Sequence, residues 1–201
     1  MSKRRMHRRS REDAGTATRV LLANVVLPAW AAFGIIDWGF HRATRIERNA
    51  GALESLTHLL MGAEGAVCAL TGILFEMDAG VLAAMLGAAL AHEATAVWDV
   101  RYAKHRRPLV QAEQHVHSFL EALPFAAVGV AAALHGPRAR AKPVFRRANV
   151  PLPARSVALA AASGFFGMLV HVEEFVRCLR VKPALAPQPE RPPDQPAARA
   201  T

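Results

Sequence analysis

Long apolar stretches alternate along the chain with short charged ones. No Asp, Glu, Lys or Arg occurs between Arg19 and Asp37, Glu64 and Glu76, Asp78 and Glu93, Glu121 and Arg138, or Arg155 and Glu173. Segments such as VLLANVVLPAWAAFGII and VLAAMLGAALA are apolar on every side and show no period of two, so they read as helices rather than strands. Five helices are expected, at about Val20–His41, Glu54–Phe75, Ala79–Tyr102, Glu113–His135 and Arg155–Leu179. Each reaches the roughly 20 residues that cross a bilayer core once its ionisable end is counted. Helices that are apolar all round lie in a deep core or in lipid, and a chain of 201 residues cannot bury five of them inside itself. The expected fold is therefore all-α, an integral membrane bundle of about five transmembrane helices. Pro28 and Pro124 fall inside the first and fourth spans and are expected to kink them.

Composition alone suggests something different. Lys and Arg number 25 against 16 Asp and Glu, a formal charge of +9, and apolar residues make up 52% of the chain. Mean hydropathy is only +0.15. These averages fit a basic soluble domain, but the positive charge sits in tails and loops between apolar runs, and aromatics reach only 6%, which argues against nucleic acid as a partner. Two cysteines, Cys68 and Cys178, both in apolar text, exclude a disulfide scaffold. The expected organisation is a basic disordered tail over 1–18, a helical membrane domain over 19–181 and a Pro-rich disordered tail over 182–201. The basic start followed by an apolar run reads as an uncleaved first span rather than a signal peptide, since no small-residue cleavage site precedes Asp37-Trp38.

Threading five spans through a membrane puts the loops around 42–53 and 103–112 on one side. Seven of the nine histidines fall in those loops or at the helix ends touching them: His41, His58, His92, His105, His115, His117 and His171. Asp37, Glu54, Glu93, Asp99, Glu113, Glu121 and Glu174 share that end, with Glu64 deeper. Asp37 and His41 are i,i+4, as are Glu54 and His58, and Glu113, His117 and Glu121 are successive i,i+4 steps. His92 and Asp99 are i,i+7, and His171 and Glu174 are i,i+3. Each set thus occupies one helix face. Any single pair reads first as an interfacial cap or salt bridge. Five such pairs at one membrane end read as a metal site, because helix bundles bind metal pairs with converging carboxylates and imidazoles. The candidate metal ligands are Asp37, His41, Glu54, His58, His92, Asp99, Glu113, His117, His171 and Glu174, with Glu93 and Glu121 as candidate catalytic bases. That is more than two ions need, so some must orient the others. A mixed imidazole and carboxylate shell suits two iron ions, with zinc or manganese as alternatives. His105, in KHRRP, reads as solvated. Glu47 reads as a partner of Arg45 or Arg48, and Arg42, Arg45, Arg101, Arg106 and Arg107 as a solvated interfacial face before a phosphate-binding one.

The segments DWGFHRATRIE, ESLTHLL, HEATAVWDVRYA and EQHVHSFLEALPF resemble motifs of an uncharacterised bacterial multi-pass membrane protein family, over about residues 20–180. The resemblance implies a place in the bacterial inner (cytoplasmic) membrane and no particular activity. More distantly, the layout is similar to membrane-bound di-iron hydroxylases and desaturases, which carry HxxxH and HxxHH clusters at helix ends. This chain has no HxxHH, and carboxylates stand where that group uses histidine. Nor is His92-Glu93 followed by the second histidine of the zinc signature HExxH. The leading expectation is a membrane metalloprotein, a di-iron-type oxidoreductase acting on a lipid-like or apolar substrate among membrane lipids, with an electron-donor protein as partner. The alternatives are a zinc-dependent membrane lipid hydrolase, a non-enzymatic metal- or proton-handling membrane protein, and a b-type haem protein. Thirteen Lys and Arg on one side against twelve on the other leave the membrane orientation open, with a lean towards the N-terminus inside.

Overall fold

The computed structural model describes residues 13–136 and 145–181. The tails over 1–12 and 182–201, read above as disordered, and the 137–144 part of the fourth loop lie outside the described residues. Five helices carry the fold: α1 Asp13–Thr44, α2 Ala52–Leu74, α3 Ala79–Ala103, α4 Gln111–His135 and α5 Ala154–Arg180. All five are long and apolar enough to cross a membrane. The described residues form no strand beyond one isolated bridge between Phe75 and Arg147. α1 reaches back to Asp13, well before the expected start of the membrane domain at residue 19, and it contains a π-helical stretch, Leu22–Val26, just ahead of Pro28. Pro124 is accommodated inside α4.

Packing runs from α1 to α5, α2, α3, α4 and back to α1, closing a ring of helices. The ring has two unlike halves. In one, Leu22, Leu27, Cys68, Ile73, Val81, Met85 and Val128 form an apolar core. In the other, the buried side chains are ionisable: Asp37, His41, Glu54, His58, His92, Asp99, Glu113, His117 and Glu174 are all nearly inaccessible. Large apolar side chains such as Val25, Val67, Leu90, Val130, Phe165 and Phe166 stay exposed around the outside, where a bilayer would cover them.

The helix ends away from the ionisable half are tied together through backbone groups. Asp78 caps α3 by accepting from Val81 N at 2.9 Å, and Phe145 N donates to its other oxygen at 3.2 Å. Arg19 donates to Ile73 O at 2.6 Å and to Val150 O at 2.5 Å, satisfying a carbonyl in the last turn of α2 and the chain leading into α5. At the opposite end, Arg45 closes α1 in the left-handed conformation (φ 55°), and Asn49 Nδ2 donates to Thr44 O at 2.9 Å. The expected pairing of Glu47 with Arg45 or Arg48 is not what forms. Glu47 instead accepts from Arg177 of α5, which also reaches Glu173, so this loop is clamped to the far end of the chain.

The Trp30 indole packs directly on Gly65, where a methyl group would sit 2.4 Å from its Cζ2. Gly65→Ala is therefore expected to displace the Trp30 indole and lower stability by about 1–3 kcal/mol. Gly129→Ala, in the open on α4, is expected to leave stability unchanged or slightly raised. Thermal unfolding in detergent with Trp fluorescence checks both; equal midpoints for the two variants would contradict this packing.

Candidate metal centre

Each helix delivers at least one member of its polar pair to the same place, because the spacing keeps it on the inward face. α1 brings Asp37 and His41, α2 brings Glu54 and His58, α3 brings Asp99, α4 brings Glu113 and His117, and α5 brings His171 and Glu174. Three ligand groups result, and the third, His41, His58 and Glu174, overlaps the other two. Asp37, His41, Glu113 and His117 present one donor atom each, all within 4.8 Å of one another, and so do Glu54, His58 and Asp99. In the first group, His41 Nε2 lies 3.5 Å from Asp37 Oδ2 and 3.4 Å from Glu113 Oε1, and His117 Nε2 lies 2.9 Å from Asp37 Oδ1. In the second, His58 Nε2 lies 3.5 Å from Asp99 Oδ1. The first two groups meet at the His41 and His58 rings, which stack nearly parallel with centroids 4.4 Å apart.

Glu174 fixes that stack. Its two oxygens accept from His41 Nδ1 at 2.9 Å and from His58 Nδ1 at 2.8 Å. An ionised carboxylate can only accept, so both imidazoles carry a proton on Nδ1, and Nε2 is the nitrogen left facing the cluster. Metal-binding histidines are held in this way by an acceptor on the other ring nitrogen. Glu174 thus fixes the orientation of both imidazoles, and with them it forms a ligand group of its own. His41 Nε2, His58 Nε2, His117 Nε2, Asp37 Oδ1, Asp99 Oδ2 and Glu54 Oε2 are all buried without a hydrogen-bond partner. Several of these atoms lie close to a counter-charge, but none has the direction of a hydrogen bond.

Arg107 corrects the sequence reading. Expected on a solvated or headgroup-facing surface, it is buried and joins two ligand helices. Its Nε and Nη2 donate to Glu54 Oε1 at 3.0 and 2.6 Å, and its Nη1 and Nη2 donate to the two oxygens of Glu113 at 3.0 and 2.5 Å. Burial works against the guanidinium's charge, but the Glu113 and Glu54 carboxylates outweigh it and raise the Arg107 pKa, so it stays protonated. Thr57 also went unnoticed in the sequence. Its hydroxyl lies against Asp99 Oδ1 and against its own helix at Glu54 O, fixing the Asp99 carboxylate. Both residues lie within a few positions of candidate ligands, but no periodic signal marks them.

The remaining candidates lie at the border of the cluster. His92 donates Nδ1 to Met61 O at 3.2 Å, leaves Nε2 unpaired and stacks edge-on with Trp30; it belongs to none of the ligand groups. His171 is half-buried beside His58, with ring centroids 6.1 Å apart, and its Nε2 fits against Gly34, where a methyl group would come within 3.2 Å. Glu121 and Glu93 are both half-buried. His105 and His115 are exposed, and Cys178 packs with Ile46 and Ala50. Glu64 accepts from Thr95 at 3.0 Å, away from the cluster.

A cavity with about 70 Å³ of free space opens from the cluster into the bundle. Asp37, His58, Asp99, His117 and His171 form its polar end, with His92 and Glu121 close by, and Leu27, Trp30, Ala31, Ala66, Leu120 and Met168 line its walls. Glu93 does not line it. Comparison with protein-family models, with curated proteins and with solved structures finds no match, so neither resemblance noted in the sequence gains support from a relative. The buried histidine and carboxylate groups could hold metal ions on their own geometry.

Two substitutions separate holding from ligating. Glu174→Gln keeps the shape but can donate to one imidazole instead of accepting, and it is expected to weaken metal binding roughly 10–100-fold while leaving helix content intact. Arg107→Met leaves Glu54 and Glu113 buried without their cation and is expected to cost about 3–5 kcal/mol. Metal titration and thermal unfolding of the two variants check this. Wild-type affinity in Glu174→Gln would contradict the orienting role.

Proposed function

We propose that this chain is a membrane metalloenzyme with a two-metal centre, iron in both positions, acting on an apolar substrate in the inner membrane of a bacterium. One observation carries the reading. Asp37, Glu54, Asp99, Glu113 and Glu174 are five buried carboxylates, and Arg107 is the one buried cation beside them among the described residues. Imidazoles that ligate a metal must be neutral, and four negative charges would then remain, which two divalent ions would balance. Uncompensated charge in a membrane interior is too costly to persist, at roughly 2.5–3.5 kcal/mol per group on insertion scales.

The unpaired donor atoms support the same reading. His41 with Asp37, Glu113 and His117 would hold one ion, and His58 with Glu54 and Asp99 the other. The stacked imidazoles, with ring centroids 4.4 Å apart, place the two sets of ligands side by side. Hard carboxylate oxygens outnumber the imidazoles, and no cysteine lies among them, which favours iron or manganese over zinc. Two iron ions would supply activation of dioxygen, with two electrons from a donor protein and two protons from solvent, one oxygen atom entering a substrate C–H bond and the other leaving as water. The chain's own residues do the rest. Glu174 keeps the imidazole lone pairs aimed inward, Arg107 balances Glu54 and Glu113, and the apolar walls exclude water from the reacting end. Glu121, at the cavity edge, stands as the proton-handling carboxylate.

Purified protein is expected to hold two divalent ions per chain, and His58→Ala to lower that number with helicity preserved. Because protons compete for the same lone pairs, metal release is expected to rise steeply as the pH falls through the imidazole range. Elemental analysis across a pH series measures both. A preparation with no metal, whose unfolding is unchanged by chelator, would leave a metal-free network of protonated imidazoles as the answer.

A further inference from the structure

The cavity does more than reach the cluster, because it opens sideways. Ser163, Gly164, Gly167, Met168 and His171 place one face of α5 along it. Gly164 lines the cavity and is also exposed on the outside of the bundle, where Phe165 and Phe166 flank it. A side chain added at Gly164 would meet nothing within 4 Å. This opening lies about 15 Å along α5 from Glu174 at ~1.5 Å per residue. The hydrocarbon core is about 30 Å thick, so the opening faces the middle of the bilayer. At the far end stand buried groups with unpaired atoms, His58 Nε2, Asp37 Oδ1 and Asp99 Oδ2, on residues that line the same cavity.

We infer that Gly164 is a lateral portal through which a single unbranched lipid chain enters from the bilayer and lies along Trp30 and Met168 towards the His58 end. The only material in contact with a mid-bilayer opening is hydrocarbon, and the walls are apolar. On the measure by which one water needs roughly 10–15 Å³, the free space of about 70 Å³ is narrow, which suits one slim chain and not a fused ring system. The small residues of α5 follow from this role: Gly164 leaves the gap open, and Gly167 lets α5 lie against Ala31 of α1 beside it, where a methyl group would come within 3.2 Å. The inference names the substrate class and route for the apolar-substrate reading above and rests on it. Chain binding itself does not require the metal reading to hold.

The test uses the full chain in phosphatidylethanolamine–phosphatidylglycerol vesicles containing a phospholipid with a photoactivatable diazirine at the end of one acyl chain. Gly164→Phe fills the portal, and Gly129→Phe, on an open face of α4 away from the cavity, is the control. Light-induced labelling of cavity residues such as Trp30, Leu120 and Met168 is expected in the wild type and in Gly129→Phe, and to fall at least tenfold in Gly164→Phe. Metal content of both variants is expected to match the wild type. Labelling confined to outward residues such as Phe165 and Leu169, or cavity labelling that Gly164→Phe does not reduce, would overturn the portal. Cavity labelling blocked by Gly164→Phe in protein without bound metal would support the portal and count against the metal centre alone.

Discussion

Excess negative charge, confined to one end of a ring of apolar helices, is the constraint on which the rest of the structure depends. Five carboxylates stand there with one guanidinium. Charges are expensive in such surroundings, and their mutual repulsion is poorly screened. Arg107 relieves part of the strain by bonding Glu54 and Glu113 together, and it can do so only because the short 104–110 connection folds it inward between α2 and α4. The imbalance that remains calls for further cations. On the reading proposed above, two divalent ions would meet that need at the Nε2 atoms of His41 and His58, which Glu174 leaves facing the cluster.

The two halves of the bundle divide the work. Apolar packing around Leu22, Ile73 and Met85, with the backbone ties made by Arg19 and Asp78, holds the helices at the end away from the cluster. That packing lets the other half carry unpaired polar atoms without collapsing onto itself. The ion chain of Arg42, Glu173, Arg177 and Glu47, with Trp38 donating to Glu173 at 2.8 Å, closes α1 and α5 just outside the cluster. Adjacent residues therefore serve opposite purposes: Glu173 faces the rim, and Glu174 turns in to the imidazoles.

Much of this was legible in the sequence because helical spacing is a geometric code. Charge-free runs located all five helices, and their ends lie within a few residues of expectation except at the start of α1, where the helix runs through Gly15 back to Asp13. The i,i+4 pairs put Asp37 with His41 and Glu54 with His58 on inward faces, as found. The spacing could not say which ring nitrogen faces which carboxylate, so the contact of Glu174 with both Nδ1 atoms is visible only in the fold. Arg107 was missed because connecting loops follow no period, and a basic run such as KHRRP looks solvated until its fold is known. Glu47 was assigned a neighbouring arginine because its true partner, Arg177, is remote in the chain.

X-ray absorption at the metal edge of the purified protein tests the central claim most directly. The account predicts a first shell of nitrogen and oxygen only, imidazole scattering, and a second metal at about 3.5–4 Å. A sulfur shell, or a single ion with no metal neighbour, would contradict it.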